Sequence, residues 1–73
     1  MTAAERLREW MASTNTTQAA MAERLGVAKS FVSHLVVGRK LPSLRTAARI
    51  ERLTRNAPGG AILAVEWVQD AAA

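Results

Sequence analysis

Cysteine is absent from the sequence, and His34 is its only histidine. A chain without thiols can form neither a disulfide framework nor a cysteine-based zinc site. A single histidine without cysteine gives too few ligands for structural zinc, so we expect neither a metal nor a cofactor. The 73 residues must therefore be held together by a small apolar core, which association with a second copy would enlarge.

Long apolar runs and enzyme-like constellations are missing as well. No window reaches the roughly 18 consecutive apolar residues of a membrane helix, and residues 1–11 are too charged for a secretory signal. We therefore expect a cytoplasmic protein without a membrane partner. The sequence pairs no carboxylates, places no nucleophile beside a base and has no phosphate-binding glycine loop, so an enzyme is the poorest interpretation.

Acidic residues are scarce in the middle of the chain. The formal net charge is +4, but residues 24–55 hold eight basic residues against Glu51 alone, which is a net charge of +7. The two ends together carry two arginines against five acids, a net charge of −3. A basic centre between acidic ends is typical of a surface that faces a polyanion, and a solvated arginine-rich face is the alternative.

Apolar residues recur at helical spacing in five segments, and no strand pattern is present. The predicted helices cover residues 3–12, 17–25, 28–36, 44–55 and 61–70. Thr16 or Thr17 is the expected N-cap of the second helix, and Ser43 that of the fourth. Trp10 falls in the apolar stripe of the first helix, so we expect it in the core. The pattern predicts an all-α, compact five-helix bundle that forms a single domain over residues 1–73.

The junction of the second and third helices has a specific pattern. Gly26 can adopt the left-handed backbone that ends a helix. Ala22 supplies the small side chain that is needed where two helices cross closely, and Val32 faces back toward it as a β-branched plug. The other inward positions are filled by Met21, Leu25, Val27 and Leu35. Together these residues predict a helix-turn-helix over residues 17–37.

The segment TQAAMAERLGVAKSFVSHLVVGRKLPS resembles the lambda-repressor-like, or Cro-type, helix-turn-helix domains of phage and bacterial regulators. The resemblance covers residues 17–55 and includes a Thr-Gln helix start, the Ala…Gly…Val core and a Gly-Arg-Lys-x-Pro-Ser close. The later segment RIERLTRNAPGGAILAVEW is similar to the small phage Cro-type and antitoxin-like subgroup, although its NAP departs from that pattern. The family's fold is a compact bundle of four or five helices.

This resemblance implies that the third helix lies in the major groove of double-stranded DNA. The implied base-contacting residues are Ala28, Lys29, Ser30, Ser33 and His34. Lys29 can donate to guanine, with a phosphate contact as the alternative, and its point charge replaces the glutamine or asparagine that the family often has there. The two serines can donate or accept hydrogen bonds with little discrimination. His34 is either a base contact or an ordinary surface histidine.

The same resemblance implies contacts to the DNA backbone on either side of the third helix. These residues are Thr17, Gln18, Arg39, Lys40, Ser43 and Arg45. Gln18 begins the second helix, where the family commonly touches phosphate and braces the first recognition residue. We interpret the remaining arginines of the fourth helix as a solvated face, and they are Arg49, Arg52 and Arg55.

Two apolar stripes run along the fifth predicted helix. Ile62, Val65 and Val68 form one stripe, and Leu63 and Trp67 form the other. The second stripe is either a wider core contact or a dimer seam, and we favour a homodimer that reads two half-sites about 34 Å apart. The candidate dimer interface consists of Ile62, Leu63, Trp67 and Val68. A symmetric dimer predicts a palindromic operator.

The implied function is sequence-specific transcriptional regulation by a phage- or prophage-type, Cro-like repressor, which would be associated with the nucleoid when bound to DNA. Two alternatives stay open. One is an antitoxin or anti-repressor whose C-terminal helix binds another protein. The other is a non-specific architectural DNA binder, whose affinity would be nearly independent of sequence and strongly dependent on salt.

Overall fold

The computed structural model describes residues 1–72, which contain five α-helices. They are α1 (Ala3–Ser13), α2 (Gln18–Leu25), α3 (Lys29–Val36), α4 (Leu44–Leu53) and α5 (Ala64–Ala72). The predicted all-α class is confirmed, since residues 1–72 contain no strand. Ala73, the last residue of the predicted domain, lies outside the described residues. The largest boundary difference concerns α5, which begins at 64 rather than at the predicted 61.

Hydroxyl side chains set the start of three helices. Thr2 caps α1 by accepting from the N–H of Glu5 at 3.2 Å, while the Glu5 carboxylate accepts from the N–H of Thr2 at 3.0 Å. This reciprocal pair is a capping box. Thr17 caps α2 and Ser43 caps α4, each by accepting from an N–H three residues further on. The sequence therefore fixes locally where the two helices that flank α3 begin.

A single core joins the five helices. Its fully buried side chains come from α1 to α4 and from the segment just before α5, and the largest are Leu7, Met21, Leu25, Val32, Leu35, Ile50 and Ile62. Trp67 of α5 is 3% exposed and closes this core. Its Nε1–H has no hydrogen-bond partner within the described part of the chain. Trp10, predicted as core, is half-buried and packs against the cluster.

The apolar residues at the C-terminal end divide differently from the prediction. Ile62 and Trp67 are buried, whereas Leu63, Val65 and Val68 are 46%, 51% and 65% exposed. The later start of α5 explains the difference, because Ile62 enters the core from a non-helical segment and the helix then points Trp67 inward. Ile62 and Trp67 are therefore corrected from candidate dimer residues to core residues. Leu63 and Val68 remain on the surface.

Polar contacts fasten α5 to α1. The Arg6 guanidinium contacts the Glu66 carboxylate at 2.5 Å, and that carboxylate also accepts from the N–H of Leu63 at 2.7 Å. The N–H of Ala3, in the first turn of α1, donates to Asp70 at 2.6 Å. Burial raises the pKa of Glu66, but the hydrogen bonds from Arg6 and from the N–H of Leu63 lower it by more, so the pKa lies below its ordinary value.

The lowered pKa of Glu66 predicts a pH dependence of stability. A carboxyl group whose folded pKa lies below its unfolded value stabilises the fold above the unfolded pKa, here about 4.5, and loses that contribution as the pH falls through the folded pKa. We expect the free energy of unfolding to fall more steeply below pH 4.5 for the wild type than for Glu66→Gln, by less than about 1 kcal/mol because the pair is partly solvated.

The measurement is urea denaturation followed by circular dichroism across this pH range. The difference between the two proteins cancels the contribution of Glu5, whose pKa is also lowered by hydrogen bonds from the backbone and side chain of Thr2. Parallel pH profiles for the two proteins would contradict the assignment of this contribution to Glu66.

Candidate nucleic-acid interface

Only three residues separate α2 from α3. Gly26 ends α2 with a backbone φ of +69°, in the left-handed region that a glycine adopts without steric cost. The N–H of Val27 bonds back to the carbonyl of Ala22 at 3.0 Å, which satisfies one of the last carbonyls of the helix. Ala28 is then the N-cap residue of α3, without a side-chain cap of its own. So short a connection fixes the direction of α3 relative to α2.

Apolar contacts pin the inner faces of these two helices together. Of the predicted motif core, the structure buries Met21, Ala22, Leu25, Val32 and Leu35. Val27 in the turn is half-buried and packs against them. Because Val32 and Leu35 lie one helical turn apart on the inner face, the polar residues of α3 are left on the opposite side.

The outer side of α3 is polar and accessible. Lys29 and Ser30 are exposed in its first turn, and Ala28 just before them is exposed as well. Ser33 and His34, in the second turn, are half-buried. The five predicted base-contacting residues therefore extend from the N-cap through the second turn of α3, with the most accessible ones at its N-terminus.

A side-chain hydrogen bond links the outer sides of α2 and α3. The hydroxyl of Ser33 donates to Oε1 of Gln18 at 2.5 Å. The resemblance implied that Gln18 braces the first recognition residue, which would be Lys29. The structure instead places the brace on Ser33, in the next turn of α3.

The connection from α3 to α4 carries the exposed basic pair Arg39 and Lys40. Gly38 precedes them with a φ of +76°, and the N–H of Arg39 bonds to the carbonyl of His34 at 2.9 Å. These contacts close the end of α3 and place the basic pair beside it. At the start of α4, the Ser43 hydroxyl accepts from one N–H and donates to the hydroxyl of Thr46, so it is occupied within the helix cap.

The basic residues of this region have no acidic partners. All eight of them between residues 24 and 55 are exposed, and they are Arg24, Lys29, Arg39, Lys40, Arg45, Arg49, Arg52 and Arg55. Within residues 1–72 the only salt bridge joins Arg6 to Glu66, outside this segment. The single acid of the segment, Glu51, accepts from the N–H of Ala64 at 2.9 Å and so caps α5. A positive surface without internal countercharge attracts a polyanion.

The sequence did not predict one contact that holds α4 against the end of α2. Arg49, assigned to a solvated face, donates from Nη1 to the carbonyl of Leu25 at 2.8 Å. A cation at a helix C-terminus is favoured by the helix dipole, and this one satisfies a carbonyl that α2 leaves unbonded. The same Nη1 would lie 3.1 Å from a Cβ added at Gly26. No local pattern links positions 24 residues apart, so the sequence held no signal for this contact.

Comparisons with known proteins agree with this geometry. A family model described as helix-turn-helix matches residues 7–58, which is more than two thirds of the chain. No curated protein and no solved structure matches the chain. Among the described residues, no helix has the length and apolar character needed to cross a membrane.

The two positive-φ glycines that flank α3 provide a matched test of the turn. A β-carbon at either Gly26 or Gly38 forces a side chain into the left-handed region, which costs about 1–2 kcal/mol. At Gly38 a Cβ meets no heavy atom within 4 Å, whereas at Gly26 it meets Arg49. We expect Gly26→Ala to be more destabilising than Gly38→Ala by about 1 kcal/mol, because it weakens the hydrogen bond from Arg49 to Leu25.

Chemical denaturation of both variants measures this difference. In an Arg49→Ala background the contact is already gone, so the two alanine substitutions should then cost the same. A larger cost at Gly38 than at Gly26 in the wild-type background would contradict the proposed packing of Arg49 on the turn.

Proposed function

Since the chain belongs to the lambda-repressor-like helix-turn-helix family of DNA-binding regulators, we propose that it is a sequence-specific repressor of phage or prophage type. The observation that carries this proposal is the division of α3 into two sides. Lys29 and Ser30 are exposed on its outer side, while Val32 and Leu35 are fixed in the core on its inner side. An α-helix held in this way fits the major groove of B-form DNA with its polar residues on the base edges.

The proposed base contacts lie in the first two turns of α3. Lys29 donates to the O6 and N7 atoms of a guanine, which are the acceptors of that base in the major groove. Ala28 meets a thymine methyl group. Ser30 and Ser33 hydrogen bond to neighbouring bases. His34, which is half-buried, contributes at the edge of the contact.

The proposed backbone contacts bracket the groove. The first N–H groups of α2 and of α4 have no intrahelical partner and attract phosphate. Thr17 and Ser43 act through these helix starts, because their hydroxyls already serve as caps. The side chains of Gln18, Arg39, Lys40 and Arg45 then supply donors and positive charge on both sides of the groove.

We further propose that the chain binds DNA as a homodimer through the exposed apolar residues near α5. Leu63, Val65 and Val68 are 46%, 51% and 65% exposed, and Val65 and Val68 lie one turn apart on the outer side of the helix. Neighbouring apolar side chains exposed on a small domain are characteristic of a protein contact. Two copies would read half-sites about 34 Å apart.

Two substitutions separate base reading from phosphate binding. We expect Lys29→Ala to weaken binding to a duplex selected from a random pool by about 1–3 kcal/mol, and to weaken binding to unselected DNA much less. Arg39→Ala should weaken binding to both duplexes alike and reduce the slope of log K against log salt by about one. Fluorescence anisotropy at several salt concentrations measures both effects. Equal losses on the two duplexes for Lys29→Ala would make Lys29 a phosphate contact.

A further substitution tests the dimer. Val68→Glu places a charge on the proposed contact, so we expect sedimentation at micromolar concentration to shift from dimer toward monomer. Val37→Glu is the matched control, because Val37 is similarly exposed, at 58%, but lies at the end of α3. A wild-type chain that sediments as a monomer, on its own and with its duplex, would contradict the dimer and favour a different protein as the partner of α5.

A further inference from the structure

The hydroxyl of Ser33 has one hydrogen and two lone pairs. Its hydrogen is directed to Oε1 of Gln18 in a short hydrogen bond of 2.5 Å. Ser33 therefore has only acceptor capacity left for any other partner. We infer that Ser33 is a specificity-determining residue, which accepts a hydrogen bond from the exocyclic amino group of an adenine or a cytosine. This inference rests on the proposed function.

The pattern of groups in the major groove makes this selective. Adenine presents its N6 amino group and cytosine its N4 amino group, whereas guanine and thymine present the carbonyl oxygens O6 and O4 at the corresponding positions. A hydroxyl that is free to rotate meets either kind of group. A hydroxyl whose hydrogen is held elsewhere gains a hydrogen bond from an amino group and opposes a carbonyl with its own lone pairs.

Ser30 shows what this constraint adds. It has the same side chain as Ser33 and lies three residues earlier on the same helix, but it is exposed, and the described part of the chain contains no hydrogen-bond partner for its hydroxyl. That hydroxyl can rotate and either donate or accept. The two serines have the same side chain, but their hydroxyls can form different hydrogen bonds with a base because only that of Ser33 is bonded to Gln18.

Gln18 links this base contact to the DNA backbone. An amide side chain has one acceptor oxygen and an NH2 group with two donors. With the oxygen occupied by Ser33, the NH2 group is directed elsewhere, and the position of Gln18 at the start of α2 places it at the proposed phosphate contact. A phosphate bound to this NH2 group would hold the amide in the orientation that keeps the Ser33 hydrogen engaged.

The test removes single hydrogen-bonding groups from the bases of the DNA. A duplex is first selected from a random pool, and each base of the site is then replaced in turn by an analogue that lacks one group. Adenine is replaced by purine and cytosine by 2-pyrimidinone, which lack the amino group, and guanine by 2-aminopurine, which lacks O6. We expect one amino-group deletion to weaken wild-type binding roughly 5-fold, as for one lost hydrogen bond, and to leave binding by Ser33→Ala unchanged. Ser30→Ala, the matched control, should keep this 5-fold sensitivity.

Two variants of Gln18 then test the cause. In Gln18→Glu the side chain still accepts from the Ser33 hydroxyl, so this variant should keep the sensitivity to the amino-group deletion. Its negative charge repels phosphate, so it should bind DNA more weakly overall. Gln18→Ala releases the hydroxyl hydrogen, so Ser33 can then donate to a carbonyl as well as accept from an amino group. The wild-type preference for adenine over guanine, or for cytosine over thymine, at the contacted base should therefore fall below about 2-fold in this variant. A merely structural role of Gln18 would affect total affinity without changing this preference.

The possible failures are distinguishable. If Ser33→Ala removes the sensitivity to deletion of a carbonyl oxygen, the inference is overturned and the proposed function stays in place. The same holds if Ser33→Ala changes the sensitivity to none of the deletions. An unchanged preference for the amino-bearing base in Gln18→Ala would have the same consequence. Failure to select any sequence from the random pool would overturn the proposed function, and the inference with it.

Discussion

The short connection between α2 and α3 is the constraint on which the other features depend. Gly26 turns the chain in a conformation closed to most residues, and Arg49 reaches across from α4 to bond the last turn of α2. The buried side chains of Val32 and Leu35 fix which side of α3 packs against the core. Which side chains face outward is therefore decided by core packing. The surface of α3 is presented as a rigid array, so that little ordering is needed on binding.

The distribution of charge follows a related logic. Three of the five acids outside the basic segment have partners: Glu5 in the cap of α1, Glu66 on Arg6 and Asp70 on the first turn of α1. Even Glu51, inside the basic segment, is bound to the start of α5. The carboxylates thus fasten the terminal helices, and none of them pairs with the positive charge around α3. A duplex that approaches this side meets cations whose countercharges lie in solution, which is the condition for counterion release on binding.

Much of this arrangement could be predicted from the sequence, and the remainder has a common physical cause. The helix-turn-helix could be predicted because the residues that determine it, Ala22, Gly26 and Val32, lie within ten residues of one another. The proposed base contacts came from family resemblance, which gives positions but not the hydrogen-bonding state of each hydroxyl. The errors concern long-range contacts. The start of α5 depends on Glu51, and the N–H of Ile62 is held by the buried hydroxyl of Thr54. Neither contact leaves a periodic pattern, so Ile62 was predicted as a candidate dimer residue.

The most direct measurement of the central claim is an NMR titration of the labelled chain with a selected duplex, followed through the backbone amides. The rigid presentation of α3 predicts the largest shifts at Lys29, Ser30 and Ser33 and at the start of α2, with the buried amides of the core unchanged. If these amides remain undisturbed while the shifts concentrate on the arginines of α4, the DNA is bound by the basic face of α4 and the account of α3 is wrong.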